Sequence, residues 1–253
     1  MQDRYAGDIG DYGKLALLRA LQSCGLSIAV NWYLADPIKI EKNSDGTYKK
    51  KDGRHLIPEK LKVCDKVLAR ALTEIAQSGN RSVIELEQAS LVLGAIYYNE
   101  RISVDKRLDW HNKALQELKG ADLVFVDPDN GLLVQSVGMN SSRSVKYAFY
   151  EEIRDYIQQE QSVLIYNHRS RKKEGKYFSE ICAKLQKATG IPETEILKIT
   201  FPRYSVRDYL VVPASEEHRE KIESAFNAMV QGIWGRIGMC RLPLSAAVAC
   251  EDE

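Results

Sequence analysis

Apolar residues recur along this chain in two kinds of short run, and their spacing predicts an alternation of helices and strands. Apolar positions three and four residues apart predict helices over 59–77, 81–90, 107–118, 146–160, 176–189 and 216–233. Short runs of apolar and β-branched residues predict strands over 28–34, 93–98, 121–126, 162–167, 195–201 and 207–213. One more helix is predicted to begin near Gly13 and to end at Gly25, because glycine favours helix termination.

This order of elements predicts a Rossmann-like α/β fold, with a mostly parallel sheet that carries helices on both faces. The last two strands are adjacent in sequence and predict a C-terminal antiparallel hairpin. We expect a single domain over residues 1–242. A polar stretch at about 41–55, rich in turn residues, is predicted to be an insertion in that domain. The tail over 243–253 is small and acidic, and we expect it to be flexible.

Composition and charge narrow the classes of function. The 253 residues include 36 basic and 35 acidic ones, so the net charge is only +1. A protein that wraps nucleic acid through bulk charge is usually more basic, although a local basic patch remains possible. The five cysteines include no C-x-x-C pair, which is typical of free thiols in a reducing compartment. No apolar run approaches the roughly 20 residues of a membrane span. We therefore expect a soluble, cytoplasmic protein without a membrane partner.

The strongest candidate for chemistry is the loop Asp127-Pro128-Asp129-Asn130-Gly131, which follows the clearest predicted strand. In open α/β sheets the working residues lie beyond the carboxyl ends of the strands. Two carboxylates this close either share a proton or bind a cation, so Asp127, Asp129 and Asn130 are candidate catalytic residues. The alternative is an ordinary turn, because aspartate, proline, asparagine and glycine are also favoured turn residues.

The next predicted strand ends in Tyr166-Asn167-His168 and should lie beside that loop. His168 is a candidate general base or metal ligand. The alternative is a surface histidine ahead of a basic run, Arg169 to Lys173, which itself could contact phosphate or nucleic acid. The hairpin arginines Arg203 and Arg207 could face either the site or the solvent.

The segment from Gly7 to Lys14 carries three glycines at a spacing of three. This spacing favours backbone amides presented to a ligand ahead of a helix. It is not a phosphate-binding P-loop, because the glycine spacing differs and Leu15 follows the lysine. Asp8 and Asp11 would repel a phosphate, and they suit ligand hydroxyls, amines or a cation better. The alternative is a helix cap with a flexible lead-in.

The order of these segments resembles that of the large-subunit ribosomal RNA adenine-N6 methyltransferases of the RlmJ type. The segment Tyr5-Ala6-Gly7-Asp8-Ile9-Gly10-Asp11-Tyr12-Gly13-Lys14 is similar to their His-Ala-Gly-Asn-Phe-Ala-Asp-x-x-Lys, and Asp127-Pro128-Asp129-Asn130 stands where they have Asp-Pro-Pro-Tyr. The resemblance implies a methyltransferase-like fold, S-adenosylmethionine as cofactor, and a nucleotide or nucleic-acid substrate. The cofactor-binding residues that it implies are Asp8, Gly10, Asp11, Lys14, Tyr33 and Glu100.

The sequence departs from the methyltransferase pattern at two points. After the first strand it has Tyr33-Leu34-Ala35-Asp36-Pro37, where the pattern has a glycine-rich turn. In the catalytic motif, Asp129-Asn130 replaces Pro-Tyr, and an asparagine can hydrogen-bond to a base but cannot stack on it. These differences predict a reaction other than standard adenine methylation. The chain more closely resembles a bacterial and phage family with Gly-Asp-x-Gly-Asp, Asp-Pro-Asp-Asn-Gly and Tyr-x-His motifs, and that resemblance implies no particular activity.

Three hypotheses about function remain open. The first is a group-transfer enzyme in which Asp127 orients or deprotonates the acceptor and Asp129, Asn130 and His168 complete the site. The second is a phosphoesterase or nuclease that uses one or two Mg²⁺ or Mn²⁺ ions, held by Asp127, Asp129 and Asp8 or Asp11, with His168 as base or ligand. The third is a non-catalytic binder of nucleotide signals in phage defence or counter-defence.

Overall fold

A central six-stranded sheet organises the computed structural model, which describes residues 1–36, 56–169, 174–203 and 205–241. The insertion predicted at 41–55 and the tail predicted at 243–253 lie outside these ranges. The strands of this sheet are β1 (Ile28–Asn31), β3 (Ile96–Tyr98), β5 (Leu123–Val126), β8 (Ser162–His168), β9 (Leu197–Arg203) and β10 (Ser205–Val212). Two short parallel pairs lie outside it, β2 (Leu34–Ala35) with β4 (Arg101–Ile102) and β6 (Gly131–Leu132) with β7 (Tyr147–Ala148).

The order of strands across the sheet is β3-β1-β5-β8-β10-β9. The first four strands in this order run parallel, and Phe125 pairs with Val30 on one side and with Leu164 on the other. β10 pairs with both β8 and β9, so it lies between them, and it runs antiparallel to each. The predicted α/β fold, with a mostly parallel sheet and a C-terminal antiparallel hairpin, is confirmed.

Eight α-helices are described in these ranges: α1 (Ile9–Ser23), α2 (Lys66–Gln77), α3 (Val83–Gln88), α4 (Arg107–Glu117), α5 (Tyr150–Gln158), α6 (Glu174–Thr189), α7 (Glu216–Gln231) and α8 (Ile233–Arg236). The helix predicted over 59–77 is divided into a 3-10 helix, Glu59–Cys64, and α2. Asp65 separates the two because its backbone is extended and its carboxylate accepts a hydrogen bond from the amide of Leu68 at 3.0 Å.

The first helix begins at Ile9, so the prediction that it begins near Gly13 was wrong. Asp8 caps α1, since its carboxylate accepts hydrogen bonds from the amides of Gly10 and Asp11. Gly10 and Gly13 therefore lie within the helix. A Cβ at Gly13 would be only 2.5 Å from the ring of Phe201 on β9, so the glycine allows α1 to pack closely on the sheet.

The sheet separates two apolar cores because successive side chains of a strand point to opposite faces. Leu123 and Phe125 of β5 pack into one core with α1, α2, α3 and α7, whereas Val124 and Val126 pack into the other with α4, α5 and α6. The predicted helices on both faces are confirmed. The carboxyl ends of β1, β5 and β8 meet at one edge of the sheet, and the candidate site lies there.

The helices in the described ranges are all too short or too polar to cross a lipid bilayer. The single domain expected over residues 1–242 stays a prediction.

Candidate functional site

Lys14 of α1 joins two of the predicted site carboxylates. Its ammonium nitrogen lies 2.7 Å from Asp127 Oδ2 and 3.0 Å from Asp11 Oδ1, and all three side chains are buried. The ammonium group also lies 5.0 Å from the centre of the Tyr166 ring, within the range of a cation–π contact. Burial alone would lower the pKa of Lys14, but the nearby Asp127 and Asp11 carboxylates raise it well above its ordinary value. Lys14 is therefore a fixed positive charge in this site.

Asp11 differs from an ordinary surface carboxylate because it is almost completely buried. Burial raises the pKa of Asp11 to about 6, although Lys14 acts in the opposite direction. Its Oδ2 atom accepts a hydrogen bond from the amide of Gly7 at 2.8 Å. The amides of Gly7 and Gly10 are thus bonded to aspartates of their own segment, rather than pointing to a ligand as the glycine spacing predicted.

Three oxygen atoms at the ends of β1 and β5 converge on the α-amino group of Met1. The amine lies 2.7 Å from the carbonyl oxygen of Asp127, 3.1 Å from that of Tyr33 and 3.2 Å from Asp129 Oδ1. Met1 is buried, and its sulfur lies 3.9 Å from the Lys14 ammonium nitrogen. Two carbonyls and a carboxylate at these distances are a set of acceptors that fits an α-ammonium group.

Asp129 is held by several cationic and amide groups. Its Oδ2 atom accepts a hydrogen bond from the side-chain amide of Gln2 and lies 3.7 Å from Lys146 Nζ. Burial would raise the pKa of Asp129, but the Met1 amine, Gln2 and Lys146 together lower it below its ordinary value. Asp129 therefore stays ionised at neutral pH.

Two residues expected to bind the cofactor make other contacts. The Tyr33 hydroxyl donates a hydrogen bond to Glu152 at 3.1 Å, and its ring packs edge-on against Trp110 in the core. Tyr33 contributes its carbonyl oxygen to the site and has a φ of +45°, which is uncommon outside glycine. Glu100 is half-exposed, and its carboxylate is bonded by Lys113 and the Tyr98 hydroxyl.

His168 belongs to a buried chain of hydrogen bonds. Arg207 Nε donates to the Tyr166 hydroxyl at 3.1 Å, and that hydroxyl lies 3.0 Å from His168 Nε2. Arg207 pairs directly with His168 across β8 and β10, and this register settles that Arg207 faces the site. The side chain of Arg203 lies outside the described atoms. Burial, and next the charge of Arg207, lower the pKa of His168 to about 4. The imidazole is therefore neutral at physiological pH.

A cavity of about 410 Å³ opens beside the Asp127–Gly131 loop. It is lined by side chains of the loop, the end of β8, and helices α5 and α6: Asn130, Leu132, Leu133, Val134, Gln135, Ser136, Tyr150, Asn167, His168, Tyr177, Glu180, Ile181 and Lys184. Asn167 fixes the wall of this cavity, because its Oδ1 atom accepts a hydrogen bond from the Leu132 amide at 2.8 Å. The cavity thus lies against two of the predicted catalytic residues, Asn130 and His168.

The residues predicted to bind a metal ion make other contacts in the structure. Among the described residues, no group of three or more histidine, cysteine, aspartate and glutamate side chains is arranged to hold a metal ion. Asp8 caps α1, and the Lys14 ammonium group lies between the carboxylates of Asp11 and Asp127. This set of side chains does not fit a Mg²⁺ or Mn²⁺ ion in the described arrangement.

Tyr166 and Asn167 were predicted, together with His168, to lie beside the loop, but no role in the site was predicted for either. Because side chains alternate along β8, the two point to opposite faces of the sheet. Lys146 carried no recognisable signal. In the basic run, Arg169 forms a two-point ion pair with buried Asp208, at 2.7 and 2.9 Å, and residues 171–173 lie outside the described ranges.

The chain matches no protein-family model and no curated protein.

Proposed function

We propose that this protein is a group-transfer enzyme of methyltransferase-like fold that acts on a nucleotide or a nucleic acid. The observation that carries the proposal is the position of one loop between two kinds of binding feature. Asp127 and Asp129 contribute to an acceptor set for an α-ammonium group, and Asn130 of the same loop lines an open cavity. In group transfer, the molecule that donates the group and the molecule that receives it must meet at one point. This loop contacts both the α-ammonium site and the cavity.

The donor is S-adenosylmethionine, whose amino-acid end carries an α-ammonium group close to a sulfur atom. The Met1 amine presents the same α-ammonium group to the ends of β1 and β5, whereas its sulfur is a neutral thioether that lies 3.9 Å from the Lys14 ammonium nitrogen. The residues that would hold the cofactor are the carbonyls of Tyr33 and Asp127 and the carboxylate of Asp129. When bound, the cofactor supplies a methyl group to an acceptor. It would compete with Met1 for the same three oxygen atoms.

The protein's own residues provide orientation and charge. Lys14 fixes the Asp127 carboxylate at 2.7 Å, so this carboxylate can orient an acceptor without turning away. Asn130 offers a carboxamide to an acceptor base. His168 is neutral at pH 7 and is suited to hydrogen bonding rather than to carrying a charge. Because Asn130 stands where adenine methyltransferases have a stacking aromatic residue, the acceptor is expected to be held in a different way.

One observation favours the non-catalytic binding hypothesis as a second candidate. The Asp127 side chain is about 2% exposed and its carboxylate is bonded to Lys14, which limits its access to a substrate. A protein that only binds a nucleotide has no need of a free carboxylate. Turnover therefore distinguishes the two candidates.

The test is titration of the full-length protein with S-adenosylmethionine at up to millimolar concentration, followed by calorimetry and thermal shift. We expect binding that raises the melting temperature and that is weakened in Asp129→Asn. The matched control is Asp109→Asn, because Asp109 is exposed on α4 and outside the site. Absence of binding in the wild-type protein would contradict the proposal.

A second measurement addresses turnover. Transfer of a labelled methyl group from the cofactor to nucleic acid or nucleotides is expected in the wild-type protein and is expected to be lost in Asp127→Asn. A tightly bound nucleotide without turnover, detected by mass spectrometry of released small molecules, would favour the binding hypothesis instead. Hydrolysis of nucleotides that disappears with EDTA would favour the metal-dependent hydrolase.

A further inference from the structure

The cavity beside the Asp127–Gly131 loop contains polar groups that are available to a ligand. Within the described part of the chain, the Asn130 carboxamide, the Tyr150 hydroxyl and His168 Nδ1 make no hydrogen bond, although all three residues line the cavity. These groups are only partly exposed. Because all three lie on the wall of the cavity, they are the hydrogen-bonding groups that a ligand in this cavity would meet.

The hydrogen bonds behind His168 favour one position for its ring proton. Arg207 Nε can only donate, so the Tyr166 oxygen accepts that bond at 3.1 Å. The proton of the Tyr166 hydroxyl then has His168 Nε2, at 3.0 Å, as its acceptor. A neutral imidazole that accepts at Nε2 carries its proton on Nδ1. His168 therefore presents an N–H donor on the nitrogen that is not bonded to Tyr166.

The remainder of the lining describes the shape and charge of a ligand. Leu132, Val134 and Ile181 are apolar, and Tyr150 and Tyr177 add aromatic rings to the wall, with the Lys184 ammonium nitrogen 5.8 Å from the centre of the Tyr150 ring. The lining contains one carboxylate, Glu180, and one ammonium group, Lys184, so it has no excess of positive charge for a phosphate. A volume of about 410 Å³ lies within the range of small-molecule sites.

We infer that this cavity binds an uncharged planar heterocycle of the nucleobase class, with His168 Nδ1 as donor and the Asn130 carboxamide as a second hydrogen-bonding group. Asparagine can form paired hydrogen bonds with the edge of a base, as it does with adenine. Tyr166 and Arg207 are positioning residues, because they act through His168. The inference deepens the proposed function and rests on it only in treating the bound base as the acceptor of the transferred group.

The binding test is calorimetric titration of the full-length protein with adenosine, cytidine, guanosine and uridine. We expect at least one nucleoside to bind and Asn130→Ala and His168→Phe each to weaken it about fivefold, the effect of one neutral hydrogen bond. The matched control for the first variant is Asn112→Ala, since Asn112 is exposed on α4, and it should leave the affinity unchanged. The inference is overturned if no nucleoside binds the wild-type protein, or if the control weakens binding as much as Asn130→Ala does.

A spectroscopic test is independent of affinity and of any loss of folding in the His168 variant. Nitrogen-15 NMR of the histidine side chains is expected to show the His168 proton on Nδ1 at neutral pH, and Tyr166→Phe should shift the ring toward the other tautomer. A protonated Nε2 in the wild-type protein would overturn the role given to His168.

The two proposals can fail separately. If nucleosides bind and S-adenosylmethionine does not, the transferase proposal fails and the base-binding cavity stands. If S-adenosylmethionine binds and no nucleoside does, the donor site stands and the cavity inference fails.

Discussion

Lys14 is the residue on which the charges of this site depend. One ammonium group lies between the carboxylates of Asp11 and Asp127, and all three are almost fully buried. Charges removed from water are tolerated when they are paired, but removal of one partner leaves the others uncompensated. The raised pKa of Asp11, about 6, shows that one ammonium group does not fully offset the burial of two carboxylates.

Replacement of Lys14 should therefore lower the stability of the folded protein. We expect Lys14→Met to lower the free energy of unfolding by about 3–5 kcal/mol, the range for a broken buried ion pair. Chemical denaturation at pH 7 measures this. The control is Lys113→Met, because Lys113 is 57% exposed and pairs with exposed Glu100, and such a pair contributes about 1 kcal/mol or less. Equal losses in the two variants would contradict the buried-pair interpretation.

Two residues of the site give opposite dependences of stability on pH. The pKa of His168 falls from 6.5 to about 4 on folding. Its contribution to the free energy of unfolding is therefore present above pH 6.5 and is lost as pH falls from 6.5 to about 4. The pKa of Asp11 rises from 3.8 to about 6, so its contribution is present below pH 3.8 and is lost as pH rises to about 6. In the wild-type protein the two effects partly cancel between pH 4 and 6.

Single variants should separate these effects. We expect His168→Phe to remove the loss of stability on acidification between pH 6.5 and 4, which is at most about 3 kcal/mol. Asp11→Asn should remove the opposing gain, so that this variant loses more stability than the wild-type protein over pH 6 to 4. Denaturation midpoints measured at half-unit steps of pH test both. Parallel curves for the wild-type protein and both variants would contradict the assigned environments.

The loop after β5 depends on a glycine for its shape. Gly131 has a φ of +105°, and a Cβ there would overlap the carboxamide of Asn167, the residue that bonds the Leu132 amide. Gly131 is thus required both by its backbone conformation and by the closeness of β8. This contact sets one wall of the cavity.

A pair of glycine variants separates the two requirements. Gly120 has a φ of +91°, and a Cβ added there would have no neighbouring atom within 4 Å, so Gly120→Ala reports the conformational cost alone, about 1–2 kcal/mol. Gly131→Ala should cost a further 1–3 kcal/mol or so because it also crowds the loop. The measurements are chemical denaturation and nucleoside affinity, and only Gly131→Ala is expected to weaken binding.

Helices and central strands could be predicted from the sequence because each has a clear apolar periodicity. The strand over 121–126 and the helix over 107–118 are found within two residues of their predicted ends. The start of α1 was misplaced because Asp8 caps the helix and brings two glycines into it. The four short strands β2, β4, β6 and β7 have only two residues each, too few for a periodic signal.

The candidate site was predictable in its position but not in its contacts. The rule for carboxyl ends of strands identified Asp127, Asn130 and His168, which the structure places at one edge of the sheet. It could not show that Lys14 lies beside Asp127, since 113 residues separate them. It also could not show that the Tyr33 ring turns into the core, because either orientation agrees with a buried strand end.

At the scale of the whole molecule, the sheet has protected strands and exposed edges. β10 has a neighbour on each side, whereas β3 has three residues and one neighbour. Amide hydrogen exchange is expected to be slowest in β5, β8 and β10 and several orders of magnitude faster in β3, because edge elements open in local fluctuations of low free energy. Uniform exchange across the sheet would contradict this strand order.

The position of β10 affects how the sheet can form during translation. This strand follows β9 in the chain but lies between β8 and β9, and the helix after it, α7, packs against α1. A ribosome therefore releases β8 with one edge unpaired until residues near 212 have emerged. Contacts between distant parts of a chain slow folding and leave strand edges open to association. We expect the nascent chain to need protection at that edge late in translation, and the finished molecule to need none there.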